Sequence, residues 1–254
     1  MEGVHISLGA ERLGSFFGFP ITNTLVMTWL ASFLIIFFAI AVGRRLKFLP
    51  GRLQVVLEEG IGGGVSYVEE TLENKKLART FFPLIASLFV FILVANWLYF
   101  IPGVGSIGFF PAEGGSASGG EGAKFIPLLR APATDLNVTL ALSLIVFIVI
   151  QTAGFRELGF LKYAGKFVNV KSVLGFLIGI IDLFSELARL ISFSFRLFGN
   201  IFAGEVIIAI IIAFVPVFLP VPILLFEVFV GFIQAAIFSL LTLFFIKIAV
   251  ATHH

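Results

Sequence analysis

Residues 182–205 read DLFSELARLISFSFRLFGNIFAGE. The stretch lies in almost wholly apolar surroundings, yet it carries Asp182, Glu186, Arg189, Arg196, Asn200 and Glu205. An ionisable group held in hydrocarbon costs from about 2.5 to well over 10 kcal/mol depending on the reference state, so such residues mark ion paths, charge sensors or counter-ions. The plainer reading is a set of ion pairs that only hold helices together.

Outward from this stretch, no proline interrupts residues 172–214, and Pro216, Pro220 and Pro222 then form a turn into a last helix over 222–250. A continuous 43-residue helix would be roughly 64 Å long, about twice the thickness of a bilayer core. It would have to lie steeply tilted, by about 60°. The alternative, two spans broken near Gly199, would leave Asp182, Glu186 and Arg189 inside a short span.

Upstream, residues 135–155 give a third span opened by Asp135 and Asn137, where Asp135 either caps the helix at its positive end or lines an outer vestibule. The segment 103–133 is a Gly/Ser-rich outer loop. Residues 80–101 form a second span with Asn96, Trp97 and Tyr99 near its outer end. Over 51–79 the pattern changes, with Leu57, Ile61, Val65, Val68 and Leu72 recurring at helical spacing beside Glu58, Glu69 and Glu73. This predicts an amphipathic helix on the membrane surface. Gly62, Gly63 and Gly64 suggest a break in it. The GxxxxGK[ST] order of a phosphate loop is absent, so nucleotide chemistry belongs to another chain. A first span covers 21–43 and stops at Arg44, Arg45 and Lys47.

Five spans place twelve basic residues on one side (Arg44, Arg45, Lys47, Arg52, Lys75, Lys76, Arg79, Arg156, Lys162, Lys166, Lys171, Lys247) and three on the other (Arg12, Lys124, Arg130). The positive-inside rule then sets the N-terminus outside and the C-terminus in the cytoplasm. The N-terminus lacks the basic region and apolar core of a cleaved signal, so the first span is expected to drive insertion.

Composition agrees: 59% of the residues are apolar, 33 are Phe and only 13% are charged, against about 45–50% apolar and 25% charged in soluble domains. The fold class expected is an all-α integral membrane protein in one domain, with five crossing helices, one amphipathic surface helix, and a long tilted hairpin formed by the last two helices. With no cysteine, and with histidine only at positions 5, 253 and 254, thiol chemistry is excluded and neither a metal nor a cofactor site is expected. The net charge of +2 reflects topology rather than a nucleic-acid partner.

On a helical wheel Arg189, Ser192, Asn200 and Ala203 fall within about 40° of Arg196, while Glu205 points about 180° away. Arg196 and Glu205 therefore address different neighbours. Glu227 and Glu205 flank the proline turn, and Gln234 shares the Glu227 face, so Glu227, Glu205 and Gln234 form a polar ladder in the outer half. Asp182, Glu186 and Ser192 approach Arg196 from the inner side. Guanidinium stays charged and cannot relay a proton. It can block cation leak and draw the proton off an acid brought beside it.

RLFGNIFAGE at 196–205 resembles the signature of the a-subunit family of F-type ATP synthases, PATDLNVTL at 132–140 is similar to the opening of that family's third span, and FIQAAIF at 232–238 to its last helix. The resemblance implies that Arg196 faces the carboxylates of a rotor ring of c-type proteolipid subunits and keeps two half-channels apart. It further implies that Asn200, Glu205, Glu227 and Gln234 line the non-cytoplasmic half-channel, and that Ser192 and Asp182 belong to the cytoplasmic side. Many relatives pair an acid with a histidine across the positions held here by Glu205 and Glu227. The implied partners are the ring, b-type peripheral-stalk subunits, membrane lipid and a translocated H+ or Na+, in a bacterial plasma membrane. The chain alone would not be an enzyme. A secondary carrier binding an anion at Arg196, and a purely structural anchor, are the competing readings; no inverted repeat or pair of broken helices supports the carrier.

Overall fold

Asn23–Gly43 contains no charge and forms the first long helix, α1. Only Asn23, Thr24, Met27 and Ala31 are buried along it, so Trp29, Phe33, Ile36, Phe37 and Phe38 present a broad apolar exterior. Lipid, not a protein core, is the solvent that suits such a surface. The computed structural model describes residues 9–16, 18–47, 50–101, 104, 107–109, 126–159, 163, 165, 173–215 and 218–251.

Before α1, β1 (Arg12–Phe16) and β2 (Phe19–Thr22) pair antiparallel, with Phe16 opposite Phe19. Gly18, at φ 83, supplies the left-handed residue of the connection. This small hairpin adds strand to a chain whose sequence pattern shows only helix. The reason is length: the strand is five residues, too short for its period to stand out.

Pro50 and Gly51 precede α2 (Arg52–Leu72). The expected break at Gly62–Gly64 does not occur, because the helix runs through all three residues. Gly64 lies against α3, where an added Cβ would stand 3.0 Å from the Phe82 ring. The chain turns instead at Glu73, in the left-handed region at φ 54, and its N–H donates to the Glu69 carbonyl. Asn74 then caps α3 (Lys75–Tyr99), its Oδ1 accepting from the N–H groups of Lys76 (2.9 Å) and Leu77 (3.2 Å). The surface helix thus ends earlier, and the second span begins earlier, than hydropathy alone suggests.

A short ladder, β3 (Gly108–Phe109) with β4 (Ile126–Pro127), flanks the Gly/Ser-rich stretch, whose residues 110–125 lie outside the described residues. A 3-10 turn at Pro132–Thr134 leads to Asp135 and α4 (Leu136–Leu158). The buried face of α4 is Thr139, Ser143, Val146, Ile150, Ala153 and Gly154, a three-to-four spacing. Gly159, at φ 80, ends it with its N–H on the Phe155 carbonyl.

The long helix α5 (Val173–Phe214) is 42 residues without interruption, so the alternative of two spans broken near Gly199 is excluded. The last helix is α6 (Pro220–Val250). Among the described residues, five helices are long and apolar enough to cross a membrane, namely α1, α3, α4, α5 and α6. α2 is the sixth helix and is amphipathic.

The chain divides into two compact units. The first comprises Met1–Ala39, Phe91–Val138 and Leu197–Gln234. Its interior includes Met27, Ala31, Ala95, Ile201 and Ile208. The second comprises Ile40–Val90, Thr139–Arg196 and Ala235–His254. Here Phe193 of α5 meets Phe238 and Phe245 of α6 edge-on, at ring centroids 4.9 and 5.5 Å apart.

Candidate functional site

In the first unit, Glu205 of α5 is gripped by Arg130, which precedes the turn into α4. Arg130 Nε donates to Glu205 Oε1 at 3.0 Å and to Oε2 at 3.3 Å, and its Nη2 donates to Oε2 at 3.1 Å. A further donor, Nη1, reaches the Gly9 carbonyl at 3.0 Å. Arg130 is only 5% exposed. The fork of guanidinium N–H groups matches a carboxylate with two parallel bonds, a strong and directional arrangement.

Glu227 of α6 comes to the same place by a different route. It is buried, and its carboxyl lies where a Cβ on Gly204 would be. Only glycine, next in sequence to Glu205, allows this approach. Glu227 makes no hydrogen bond or ion pair among the described residues. Tyr99, at the end of α3, is close enough to feel Glu205, Arg130 and Glu227 together.

One turn along α6, Gly231 admits Asn96 of α3, to whose Cβ an added methyl would stand 3.2 Å away. Trp97 Nε1 fixes α3 here by donating to the Val228 carbonyl at 3.0 Å. The side-chain amide of Asn96 is buried without a hydrogen-bond partner among the described residues, the situation that an internal water relieves. Gln234, one further turn on, is also buried. Glu227, Gly231 and Gln234 therefore share one face of α6, as their spacing predicts.

Asp135 has its two oxygens occupied. Oδ1 accepts from the Asn137 N–H at 2.9 Å and from its side-chain amide at 3.1 Å, and Oδ2 accepts from Thr24 Oγ1 at 2.9 Å. It is a helix cap that also ties α4 to the start of α1.

In the second unit, α5 presents Arg196 on an exposed face with Ser192, and its Nη2 donates to Ser192 Oγ at 3.3 Å. A cavity of about 300 Å³ is lined by Ser185, Ala188, Arg189, Ser192, Phe193, Arg196, Leu241 and Phe245. Asn200 and Ala203, which the wheel puts on the same stripe, are exposed as well.

Glu186 stands apart from that stripe. It is buried, accepts from Arg189 Nη1 at 2.9 Å and from Gln151 Nε2 at 3.3 Å, and Gln151 in turn accepts from the Tyr163 hydroxyl at 2.7 Å. Arg189 also lies 4.3 Å over the Phe245 ring. Burial pushes the Tyr163 hydroxyl up to about 12, the Glu186 carboxylate acts in the same direction, and Arg189 opposes them. Asp182, half-exposed one turn before Glu186, takes no part in these bonds. Among the described residues no cluster of acids and histidines could hold a metal ion.

The structure thus brings Glu205 and Glu227 together, and separates Glu186 from the Arg196 face. Sequence reasoning gave Gln151, Tyr163 and Gly204 no role, and read Arg130 and Tyr99 only as markers of topology. Arg130 carried a signal, a lone basic residue in the stretch FIPLLRAPAT. Gly204 carried none, since its importance lies in what packs on it.

Arg196 stands on an exposed helix face at the head of the 196–205 signature, and that signature lies within the stretch that known proteins match. A family model described as "ATP synthase A chain" matches residues 25–247. "ATP synthase subunit a" of Moorella thermoacetica is 33% identical over 234 residues, 92% of this chain and 93% of that protein. The same-named protein of Campylobacter hominis is 32% identical over 240 residues, 93% of each, and that of Geotalea uraniireducens 33% over 225, covering 89% and 86%. With the match extending over nearly the whole length, five apolar helices included, this chain belongs to the ATP synthase A chain family.

Proposed function

We propose that the chain is the proton-conducting stator of a rotary ATP synthase, carrying H+ through two offset half-channels to a ring of c-type proteolipid subunits. The observation that carries this reading is Arg196 on the exposed face of an unbroken 42-residue helix. That face has the small or polar neighbours Ser192, Asn200 and Ala203, which suit close passage of another helix. A guanidinium remains cationic at any working pH. A ring carboxylic acid arriving beside it releases its proton, and the same charge bars a continuous cation leak.

In this reading Glu205, Glu227, Gln234 and Asn200 line the outer half-channel, with Asp135 and Asn137 at its rim. Ser192, Asp182 and the cavity between Arg189 and Arg196 belong to the cytoplasmic side, with Glu186 behind them. The basic residues after the first and third spans support a cytoplasmic C-terminus in a bacterial plasma membrane. Peripheral-stalk b-type subunits would hold the stator against the torque. The chain makes and breaks no covalent bond; ATP chemistry belongs to the separate catalytic head.

The test is Arg196→Ala in the intact complex reconstituted into vesicles. ATP-driven acidification is expected to vanish while the complex still copurifies. Coupled pumping at more than a tenth of the normal rate would overturn the reading, and loss of assembly would favour a structural anchor.

A further inference from the structure

We infer that Glu205 and Glu227 have unequal parts in the outer half-channel: Arg130 and Glu205 form a fixed ion pair that shapes the site, and Glu227 is the acid that loads and releases the proton. The inference rests on the half-channel reading above and divides its labour.

Three observations carry it. The Arg130 fork engages both oxygens of Glu205 at 3.0–3.3 Å. The guanidinium is itself 5% exposed and tied by another donor to the Gly9 carbonyl, so it cannot swing into water when the pair opens. Glu227, by contrast, is 5% exposed and seated against Gly204, with no hydrogen bond or ion pair among the described residues. A proton on Glu205 would displace one of the bonds from Arg130 and strand a buried cation, which is the costly way to break such a pair. A proton on Glu227 breaks nothing.

Tyr99 on α3 lies within electrostatic reach of Glu205 on α5, Arg130 before α4 and Glu227 on α6, and these are the charged and titratable groups of the cluster. One guanidinium neutralises one carboxylate, so the cluster carries −1 when both acids are ionised and 0 when Glu227 holds a proton. Its capacity is one proton. Arg130 is then a positioning residue, which acts by holding Glu205 and does not carry the proton itself.

The experiment uses the intact complex in vesicles, with ATP-driven pumping and its dependence on outer-side pH as readouts. Glu205→Gln strands Arg130, and a drop of tenfold or more is expected. Removing both charges, R130Q/E205Q, leaves the net field at Glu227 unchanged and should restore pumping to within about fivefold of the normal rate, with the normal pH midpoint. Arg130→Gln alone removes the cation from the cluster and leaves its two carboxylates uncompensated, and should move the midpoint to higher pH by about one unit. Arg130→Lys keeps the charge and should keep the midpoint even if the rate falls. Glu227→Gln should abolish pumping in either background.

A double variant as inactive as Glu205→Gln, or one with a displaced midpoint, overturns the division of roles, as does a midpoint shifted by Arg130→Lys. Full pumping by Glu227→Gln with a dead Glu205→Gln would reverse the two acids. Full pumping by both single variants is a different failure, that of the half-channel reading itself.

Discussion

At position 204 the difference between a hydrogen and a methyl group governs where a carboxylate can lie. An added Cβ would occupy the space of the Glu227 carboxyl, the end of a buried side chain that would have to move away from this position. Gly204→Ala should therefore displace Glu227 and lower ATP-driven pumping by tenfold or more while the complex still assembles; pumping above half the normal rate would show that the carboxyl has room elsewhere. Tyr163 permits a pH argument with a definite sign. Its hydroxyl is raised to about 12, first by burial and then by Glu186, so the fold favours the neutral form. The stabilisation is complete below the ordinary tyrosine value near 10 and disappears between about 10 and 12. Tyr163→Phe should cost about 1 kcal/mol through the lost bond to Gln151, and should remove the loss of stability seen over that alkaline window. Thermal denaturation of the complex as a function of pH reads both.

The elements show which features of the sequence were legible. Five charge-poor segments of span length appear as α1, α3, α4, α5 and α6, because hydropathy over about 20 residues is a strong signal in a solvent that supplies no hydrogen bonds. Continuity of α5 followed from the absence of proline. The Gly62–Gly64 triplet misled, since a cost of about 1 kcal/mol per glycine relative to Ala weakens a helix without breaking it, and α2 runs through all three. The surface helix ended at Glu73 rather than near residue 79 because a left-handed residue and the Asn74 cap decide that boundary, and neither alters hydropathy. Of the site, residue types and faces could be read and partners could not: the Arg130–Glu205 pair joins positions 75 residues apart. For the triplet the physics gives a prediction. Gly62 and Gly63 have nothing within 4 Å of an added Cβ, so Gly62→Ala and Gly63→Ala should each stabilise by about 1 kcal/mol. Gly64→Ala should not, because its Cβ meets the Phe82 ring at 3.0 Å. A higher denaturation midpoint for the first two and none for the third is the expected pattern; equal gains at all three would mean that α2 and α3 are not pressed together there.

For the molecule as a whole, function depends on which half-channel faces which side, and that is a matter of orientation. The asymmetry of basic residues is the physical determinant proposed: Arg44, Arg45, Lys47 and Arg52 cluster after α1, and Lys247 sits in the last turn of α6, and because translocation of Lys and Arg is resisted, these ends are expected on the cytoplasmic side. The chain contains no cysteine, which makes a clean labelling experiment available in whole cells. Ser118→Cys, in the Gly/Ser stretch, should react with a membrane-impermeant maleimide added from outside. Ala251→Cys, one residue beyond α6, should react only after the membrane is made permeable, as should Glu59→Cys on the exposed side of α2. Four crossings, α3 to α6, lie between positions 59 and 251, and three, α4 to α6, between 118 and 251, so 59 and 251 must share one behaviour and position 118 the other. External labelling of 251 together with protection of 118 would invert the chain and exchange the two half-channels. Labelling of 59 and 251 from opposite sides would require an odd number of crossings between them, and the five-span arrangement would fall with it.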